Sequence, residues 1–420
     1  KQADFIDMSR SYFEFDLRFQ TTTPGNIAAN DNDSNDAKMT AFVNNMPHSM
    51  IKQFLMKYNG TLLTEAIDMY HHQAYMQALM NYDRTDGETI MNATNGNWRN
   101  EIDNPATYSA NNVTGPAADG TNAHADYTAL SENHKAAIQA MKKETRDVWS
   151  GGKRKILRMV PNDELFHQDK WIVPNTSFEF QIWLNSTTIW TNNVVNTAVR
   201  EPTTDDCKVT FYMCLVKINP GIYTKILSKL EKEMAKYPII KPEIRQYPLE
   251  NGATYKELLN PFNNRVPQRF VVAIVDQTAF NGSLTKDPFA YQQAGIEYIK
   301  QIVNGEEYPY ETLDLNTGND QKDDRGYWRF LEATGCLERR SGNMVRKSDW
   351  GYGKNATLFV FSNIASGKHD APVLLPKPQA HIDLHIKCAA QTSAKTNIVM
   401  AEYETIISIN SPKSVTFMNA

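Results

Sequence analysis

The stretch Phe13-Glu14-Phe15-Asp16-Leu17-Arg18-Phe19 indicates the fold class, because apolar and charged residues alternate in it without interruption. Successive side chains of a β-strand point to opposite faces, so this alternation predicts a strand with one buried face. The run Phe178-Glu179-Phe180-Gln181-Ile182-Trp183-Leu184 repeats the pattern. Further strands are predicted at residues 209–218, 270–275, 296–303, 358–361, 381–386 and 398–409.

Turn-forming residues separate most of these predicted strands, and helices do not alternate regularly with them. This order favours an antiparallel sandwich or barrel over a doubly wound parallel sheet. A few short peripheral helices are predicted at residues 68–82, 132–148 and 223–235. The polar run at residues 92–128 is interpreted as a long surface loop, the core of an insertion at about residues 92–149.

Two Asn-Gly pairs indicate an internal duplication. Asn59-Gly60 follows a predicted strand at residues 50–58, and Asn304-Gly305 follows another at residues 295–303. Asn-Gly is a preferred two-residue hairpin connection, because both central positions need positive φ. A short helix with a similar face is predicted after each hairpin, at residues 73–79 and 325–331. The repeated order predicts two related β-sandwiches.

Composition excludes several classes of protein. The 420 residues carry 44 Lys and Arg against 48 Asp and Glu, a net charge of −4, which argues against wrapping nucleic acid by phosphate neutralisation. The apolar share of 41% is far from a disordered composition, and the length suggests two or three domains. No apolar run approaches the roughly 18 residues that a membrane span needs. Cys207, Cys214, Cys336 and Cys388 are widely separated and are interpreted as reduced thiols of a protein made inside a cell.

One constellation resembles a metal site. His381, Asp383 and His385 alternate along a predicted strand, so their side chains would share a face that could bind zinc or iron. The simpler interpretation is a polar, solvent-facing surface opposite three apolar residues, and no fourth ligand is evident. His71 and His72 are weaker candidates because adjacent helical residues diverge.

Other candidate sites are weaker still. A calcium site is conceivable at the acidic residues Asp314, Asp320, Asp323 and Asp324. Their spacing fits no EF-hand loop, however, and a solvated loop is the better interpretation. No P-loop, nucleophile elbow, dinucleotide fingerprint or zincin motif occurs. We therefore predict no enzyme, and no catalytic, cofactor-binding or metal-binding residues.

Tryptophans could form a sugar-stacking platform or a subunit interface, although core packing is the simpler interpretation for most of them. This set comprises Trp171, Trp183, Trp190, Trp328 and Trp350. An interface anchor is more plausible for Trp98 and Trp149, which flank the polar insertion.

Several motifs, in the same order along nearly the whole chain, resemble the major capsid proteins of Polinton/Maverick-type elements and adintovirus-like viruses, which are relatives of the adenovirus-type lineage. In the first half the motifs are Val43-Asn44-Asn45-Met46-Pro47-His48-Ser49-Met50, Tyr58-Asn59-Gly60, Tyr70 with Ala74-Tyr75 and Leu79, Glu164-Leu165-Phe166-His167-Gln168 and Trp171-Ile172-Val173-Pro174-Asn175. In the second half they are Ala235-Lys236-Tyr237-Pro238, which would end a shoulder helix, and the most specific stretch, Val266-Pro267-Gln268-Arg269-Phe270-Val271-Val272, then Ala279-Phe280-Asn281-Gly282-Ser283 and Lys286-Asp287-Pro288-Phe289. The insertion at residues 92–149 departs from the family pattern by its length and polarity.

This resemblance implies an all-β protein with two antiparallel eight-stranded jelly-roll sandwiches in tandem, at residues 1–191 and 192–420. It also implies a structural subunit of an icosahedral virion, assembled inside the host cell as pseudo-hexagonal homotrimers. The implied partners are neighbouring capsomers and penton and minor capsid proteins, without sequence-specific nucleic-acid binding. The loops at residues 92–149 and 313–325 would form the outer surface and the contacts between subunits. A heterologous ring of three closes on itself and covers sheet edges.

Two alternatives to a major capsid protein stay open. One is a minor or vertex jelly-roll capsid protein, and the other is a carbohydrate-binding β-sandwich, which the tryptophans and loop carboxylates would suit.

Overall fold

A computed structural model of the chain describes residues 4–21, 25–26, 41–65, 67–95, 98, 149, 152–174, 176–192, 199, 201–284, 286–308, 313–315, 323–352, 354–364, 379–409 and 415–419. Strands dominate both halves. Those of the first half are β1 Phe5–Arg18, β2 Gln20–Thr21, β3 Gly25–Asn26, β4 Ala41–Phe42, β5 Ile51–Tyr58, β6 Thr61–Leu62, β7 Arg154–Met159, β8 Phe178–Leu184, β9 Thr191–Asn192 and β10 Cys207–Val216. Those of the second half are β11 Ala235–Leu249, β12 Tyr255–Leu258, β13 Arg269–Asp276, β14 Ile296–Val303, β15 Glu306–Glu307, β16 Leu313–Asp314, β17 Leu358–Ser362, β18 Ile382–Cys388, β19 Lys395–Ile409 and β20 Val415–Asn419.

The helices are short. They are α1 Met46–Ser49, α2 Tyr70–Asn81, α3 Arg84–Asp86, α4 Asn92–Asn95, α5 Thr187–Trp190, α6 Pro220–Leu230, α7 Gln277–Phe280, α8 Asp323–Ala333 and α9 Cys336–Arg339, with a π-helical turn at Gly87–Met91 and 3-10 turns at Glu164–His167 and Lys347–Asp349. Within the described residues, no helix is long and apolar enough to cross a membrane.

The first sandwich forms around the predicted strand β1. One of its sheets has the order β10-β1-β7 and the other the order β6-β5-β8, with antiparallel pairing throughout. The inward-facing Phe13 joins the two sheets, because its ring contacts Phe54 and Phe180 from one sheet and Phe211 from its own. The alternation in the sequence therefore marks the core as predicted.

The second sandwich also has two antiparallel sheets. Their orders are β11-β19-β13-β17, with β20 beside β19, and β12-β18-β14-β15, with β16 beside β14. Counting β15 and β16 as one interrupted strand, and leaving out β20, which pairs only with the end of β19, the second sandwich has the eight strands of a jelly roll. The described residues of the first sandwich supply six strands in the corresponding arrangement.

Both predicted Asn-Gly hairpins are present, one between β5 and β6 and the other between β14 and β15. Asn59 and Gly60 have φ of 46° and 85°, and Asn304 and Gly305 have φ of 52° and 88°. These positive values are the reason for the residue types. The helices predicted after each hairpin are α2 and α8.

The helix predicted at residues 223–235 is displaced. Helix α6 ends at Leu230, and Ala235 begins the long strand β11, so residues 235–238 do not end a helix. Strand β11 contains Pro238, Pro242 and Pro248, and because proline is unusual in strands, the sequence pattern did not predict a strand there. All three occupy even-numbered positions, so their missing N–H groups share the edge that faces away from β19, where a strand tolerates proline. The helix predicted at residues 132–148 lies outside the described residues.

Strand β10 falls within the predicted second domain, residues 192–420, yet it pairs with β1 along Phe5 to Leu17. By hydrogen bonding it belongs to the first sandwich. Sequence order alone does not show this pairing, because the strand that closes a jelly roll pairs with one far back in the chain.

Helix α2 is more deeply buried than the predicted peripheral helix. Ten of its 12 residues are buried, including both histidines. The reason is its position between the sandwiches: His72 contacts Phe280 and Phe289 from the second half, and the carbonyl of Leu79 accepts a hydrogen bond from the Met344 N–H. The helix therefore forms part of the hydrophobic core of both halves.

Gly326 in α8 is expected to tolerate no side chain. A Cβ there would lie 2.1 Å from Trp350 Cη2 and 2.7 Å from Leu315 Cδ2, and both of these side chains are buried. We expect Gly326→Ala to lower the free energy of unfolding by about 2 kcal/mol, although alanine favours helices. Urea unfolding measures the change. Gly342→Ala, a control with open space around it, should change stability by less than about 0.5 kcal/mol. Equal midpoints for the two variants would contradict the expectation.

Candidate functional site

The histidine constellation of β18 divides between two sets of partners. His381, Asp383 and His385 share one face as predicted, but His381 Nε2 lies 3.0 Å from Asp383 Oδ1, whereas His385 turns to β12. There its Nε2 lies 3.0 Å from Glu257 Oε1 and its Nδ1 lies 2.8 Å from the Tyr255 hydroxyl. In the part of the chain that the structure describes, no group of three or more His, Cys, Asp or Glu side chains is placed to hold a metal ion.

His71 and His72 lie at the junction of the sandwiches. Their ring centroids are 4.4 Å apart, and the His72 ring stacks on Phe280 at 5.3 Å with an interplanar angle of 6°. His72 Nδ1 is 3.2 Å from the Tyr291 hydroxyl. Tertiary packing thus brings together residues more than 200 positions apart, and a sequence search for metal ligands carries no signal of this role.

Burial controls the charge state of these histidines. It lowers the pKa of His71 to about 3 and holds the pKa of His72 well below its ordinary value, where the neighbouring His71 adds to the effect. His48, whose Nδ1 lies 3.0 Å from the Tyr70 hydroxyl, has its pKa lowered to about 3, again by burial. All three are neutral at pH 7 and serve as packing groups.

A small cavity between the halves is lined by two carboxyl groups whose pKa values are raised. Burial raises the pKa of Asp163 and of Glu65, which line it together with Phe54, Tyr70 and Lys241. Raised carboxyl pKa values are a mark of acid–base catalysts. The free space is only about 40 Å³, however, and Asp163 accepts a hydrogen bond from the Leu165 N–H at the start of a 3-10 turn. That space suits ordered water and is far smaller than a substrate pocket.

The acidic residues of the 313–325 loop do not gather around one point in the described part of the chain. Asp314 belongs to β16, Asp324 forms an ion pair of 3.0 Å with Lys347, and Asp320 lies outside the described residues. A solvated acidic surface fits Asp324, whose side chain is almost fully exposed.

The tryptophans separate into core and surface groups. Trp190 and Trp350 are buried, as core packing predicts. Trp98 and Trp149 are also buried, Trp149 at 4.5 Å from Phe19, so the prediction of interface anchors there is wrong. Trp149 also packs near Phe42, and Trp98 packs against Tyr75 of helix α2. Three tryptophans on separate elements are exposed by 46%, 44% and 59%, namely Trp171, Trp183 and Trp328.

Comparisons with known proteins give the fold a context. No model of a known protein family matches the chain. An uncharacterised protein of Caenorhabditis elegans, F54H12.2, is 19% identical over 415 residues, covering 97% of this chain and 88% of that protein. The chain is also similar to the solved capsid of the virus PBCV-1, with 9% identity, a TM-score of 0.50 and coverage of 99% and 90%. The cryo-EM structure of the Sputnik virophage gives 12% identity, a TM-score of 0.51 and coverage of 100% and 84%.

These structural likenesses extend over essentially the whole chain at very low identity, so they concern the fold. Together with the two antiparallel sandwiches, they confirm the prediction of an all-β double jelly roll with few short helices.

Proposed function

We propose that this chain is a structural subunit of a virus shell, a major capsid protein without enzymatic activity. The observation that carries the proposal is the double jelly roll, which the chain shares over 99% of its length with the capsid structure of PBCV-1. Fold alone does not imply function, but the candidate metal ligands His381, Asp383 and His385 divide between separate partners, which favours a structural role. The deeply buried histidines pack at the junction of the two sandwiches, and the small cavity has room only for ordered water.

Within that function, we propose a homotrimer of pseudo-hexagonal outline. Three copies of two similar sandwiches would present six similar units around one axis, and a closed ring leaves fewer open sheet edges. The partners would be neighbouring capsomers together with penton and minor capsid proteins, and the location would be the virion. The loops at residues 92–149 and 313–325 would lie at the outer surface. The order of motifs from Val43 to Phe289 supports a place in the Polinton and adintovirus lineage.

The pairing of β10 with β1 also favours a revised division of the chain. We propose that the first unit extends through Val216 and that the second begins at Ala235, with α6 as the connection between them.

Light scattering on purified protein tests the trimer. We expect a particle of three times 47.8 kDa at micromolar concentration, and a three-lobed or hexagonal outline in negative-stain images. A monomer at every ionic strength, with no assembly, would contradict the proposal. Fivefold symmetry would instead identify a vertex protein, the first alternative.

Exposed Trp171, Trp183 and Trp328 support carbohydrate binding as a second candidate, since exposed aromatic rings can stack on sugars. A glycan array distinguishes the two. Sugar binding that Trp183→Ala abolishes, with the oligomeric state unchanged, would favour the carbohydrate-binding protein.

A further inference from the structure

The strands of the two sandwiches can be matched one to one by comparing the strands with which each is hydrogen-bonded. Strand β1 lies between β10 and β7, as β13 lies between β19 and β17. In the other sheets, β5 lies between β8 and β6, as β14 lies between β18 and β15. The corresponding strands follow each other in the same chain order. Each strand of the first sandwich therefore has a defined counterpart in the second.

Two strands of the second sandwich have no counterpart among the described residues of the first. Strand β11 pairs with β19 over 15 residues, and β12 pairs with β18 over four. The equivalent outer edges belong to β10 and β8, and each is the last strand of its sheet in the described structure. These two edges lie side by side, because Phe211 of β10 and Phe180 of β8 contact each other across the sandwich at 4.7 Å.

Side-chain burial shows that this side of the first sandwich is open. The inward positions of β10 include Val209 and Leu215, which pair with buried residues of β1 yet are exposed by 40% and 47%. No residue of β8 is buried, although Phe180 and Ile182 face the core. In the second sandwich the inward residues of β18, such as Leu384, are fully buried. Apolar groups and main-chain edges are thus exposed together, a combination that invites another strand.

We propose that this open side binds two further antiparallel β-strands, one along β10 and one along β8, and that the polypeptide preceding Lys1 supplies them. The internal symmetry identifies the occupant, since β11 and β12 stand immediately before β13, the counterpart of β1. Residues 235–258 show the length of chain required. Strand addition would satisfy the edge N–H and C=O groups and cover Val209 and Leu215. The inference depends on strand pairing and side-chain burial and does not need the proposed shell function.

Two measurements test the proposal together. The coding sequence ahead of the Lys1 codon gives the length of the preceding polypeptide, and hydrogen–deuterium exchange measures whether that polypeptide protects β10 and β8. The 420-residue chain and the chain lengthened by its preceding polypeptide are compared amide by amide. We expect β10 and β8 to exchange at least 100-fold more slowly in the lengthened chain, with β13 and β19 unchanged. A preceding polypeptide too short for two strands, or equal exchange in both forms, would overturn the proposal. Protection that appears in the short chain only as its concentration rises would identify a second copy as the occupant and would also overturn it.

A pair of variants on β10 separates the inward face from the outward one. Val209→Lys places a charge where the added strands would cover it, so the extra protection in the lengthened chain should fall at least tenfold. Tyr212→Lys changes a similarly exposed residue on the outward face, where Tyr212 stacks on Tyr12, and should keep the protection. Equal loss in both variants would contradict strand addition along the inward face.

Discussion

Arg269→Met is expected to lower the free energy of unfolding by about 3–5 kcal/mol, because it would leave Glu402 buried without its partner charge. Arg269 on β13 and Glu402 on β19 lie opposite each other in register, and both side chains are almost fully buried. The guanidinium donates two parallel hydrogen bonds, from Nε to Oε2 at 2.8 Å and from Nη2 to Oε1 at 3.0 Å. Urea unfolding at pH 7 measures the loss, or the soluble yield does if the variant fails to fold.

A double variant distinguishes lost charge pairing from lost packing. Arg269→Met with Glu402→Leu removes both charges, and replacement of a buried ion pair by apolar side chains is often neutral. We therefore expect the double variant to regain most of the stability, to within about 2 kcal/mol of the wild type. Lys229→Met breaks an exposed ion pair with Glu233 and should cost less than about 1 kcal/mol. Equal destabilisation in the single and double variants would show that shape, and not charge, matters at this position.

Features encoded by neighbouring residues could be predicted from the sequence. The alternation in β1 and β8 located two strands that face the core, and the Asn-Gly pairs located both hairpins, because strand period and turn φ are local properties. Strand β11 was missed, since proline forbids a central strand but not an edge. Edge position is decided by the neighbours of a strand, which the local sequence does not show.

The buried polar groups could not be predicted for a related reason. A period-two pattern assigns charged side chains to the solvent face, yet Arg269 and Glu402 are core residues because their partner comes from a strand 133 positions away. His71 and His72 looked like a weak metal site, whereas contacts of His72 with Phe280 and of His71 with Phe289 give them a role in joining the sandwiches. In both cases the deciding interaction is long-range.

Acidification from pH 7.5 to 5.5 is expected to destabilise the protein by on the order of 4 kcal/mol. The unfolded chain protonates His48, His71 and His72 below about pH 6.5, whereas burial keeps their pKa values far lower in the folded chain. The folded state therefore binds fewer protons, and its stability is full above pH 6.5 and declines as the pH falls. Each histidine contributes a loss of roughly 1.4 kcal/mol per pH unit below that value.

Charged groups near the histidines also contribute to the pH dependence of stability. Asp68 favours protonation of His71, whereas Lys52 opposes it, and these two form an ion pair with each other at 2.7 Å. Asp163 and Glu65 have raised pKa values, so the folded state takes up their protons more readily, which offsets part of the loss at lower pH. Urea unfolding at pH 7.5, 6.5 and 5.5 therefore measures the net change in stability from both groups of residues.

Replacing one buried histidine shows whether these histidines cause the loss of stability at low pH. His72→Phe keeps an aromatic ring on Phe280 and removes a titrating group, so stability should fall by roughly 1.4 kcal/mol less than in the wild type between pH 7.5 and 5.5. Gly342→Ala, which changes no titrating group, is the control and should keep the wild-type pH dependence. If His72→Phe has the wild-type slope, protonation of the junction does not control acid stability. If the slope decreases as expected, the contact between the two sandwiches is an acid-sensitive element of the fold, because His72 packs against both halves of the chain.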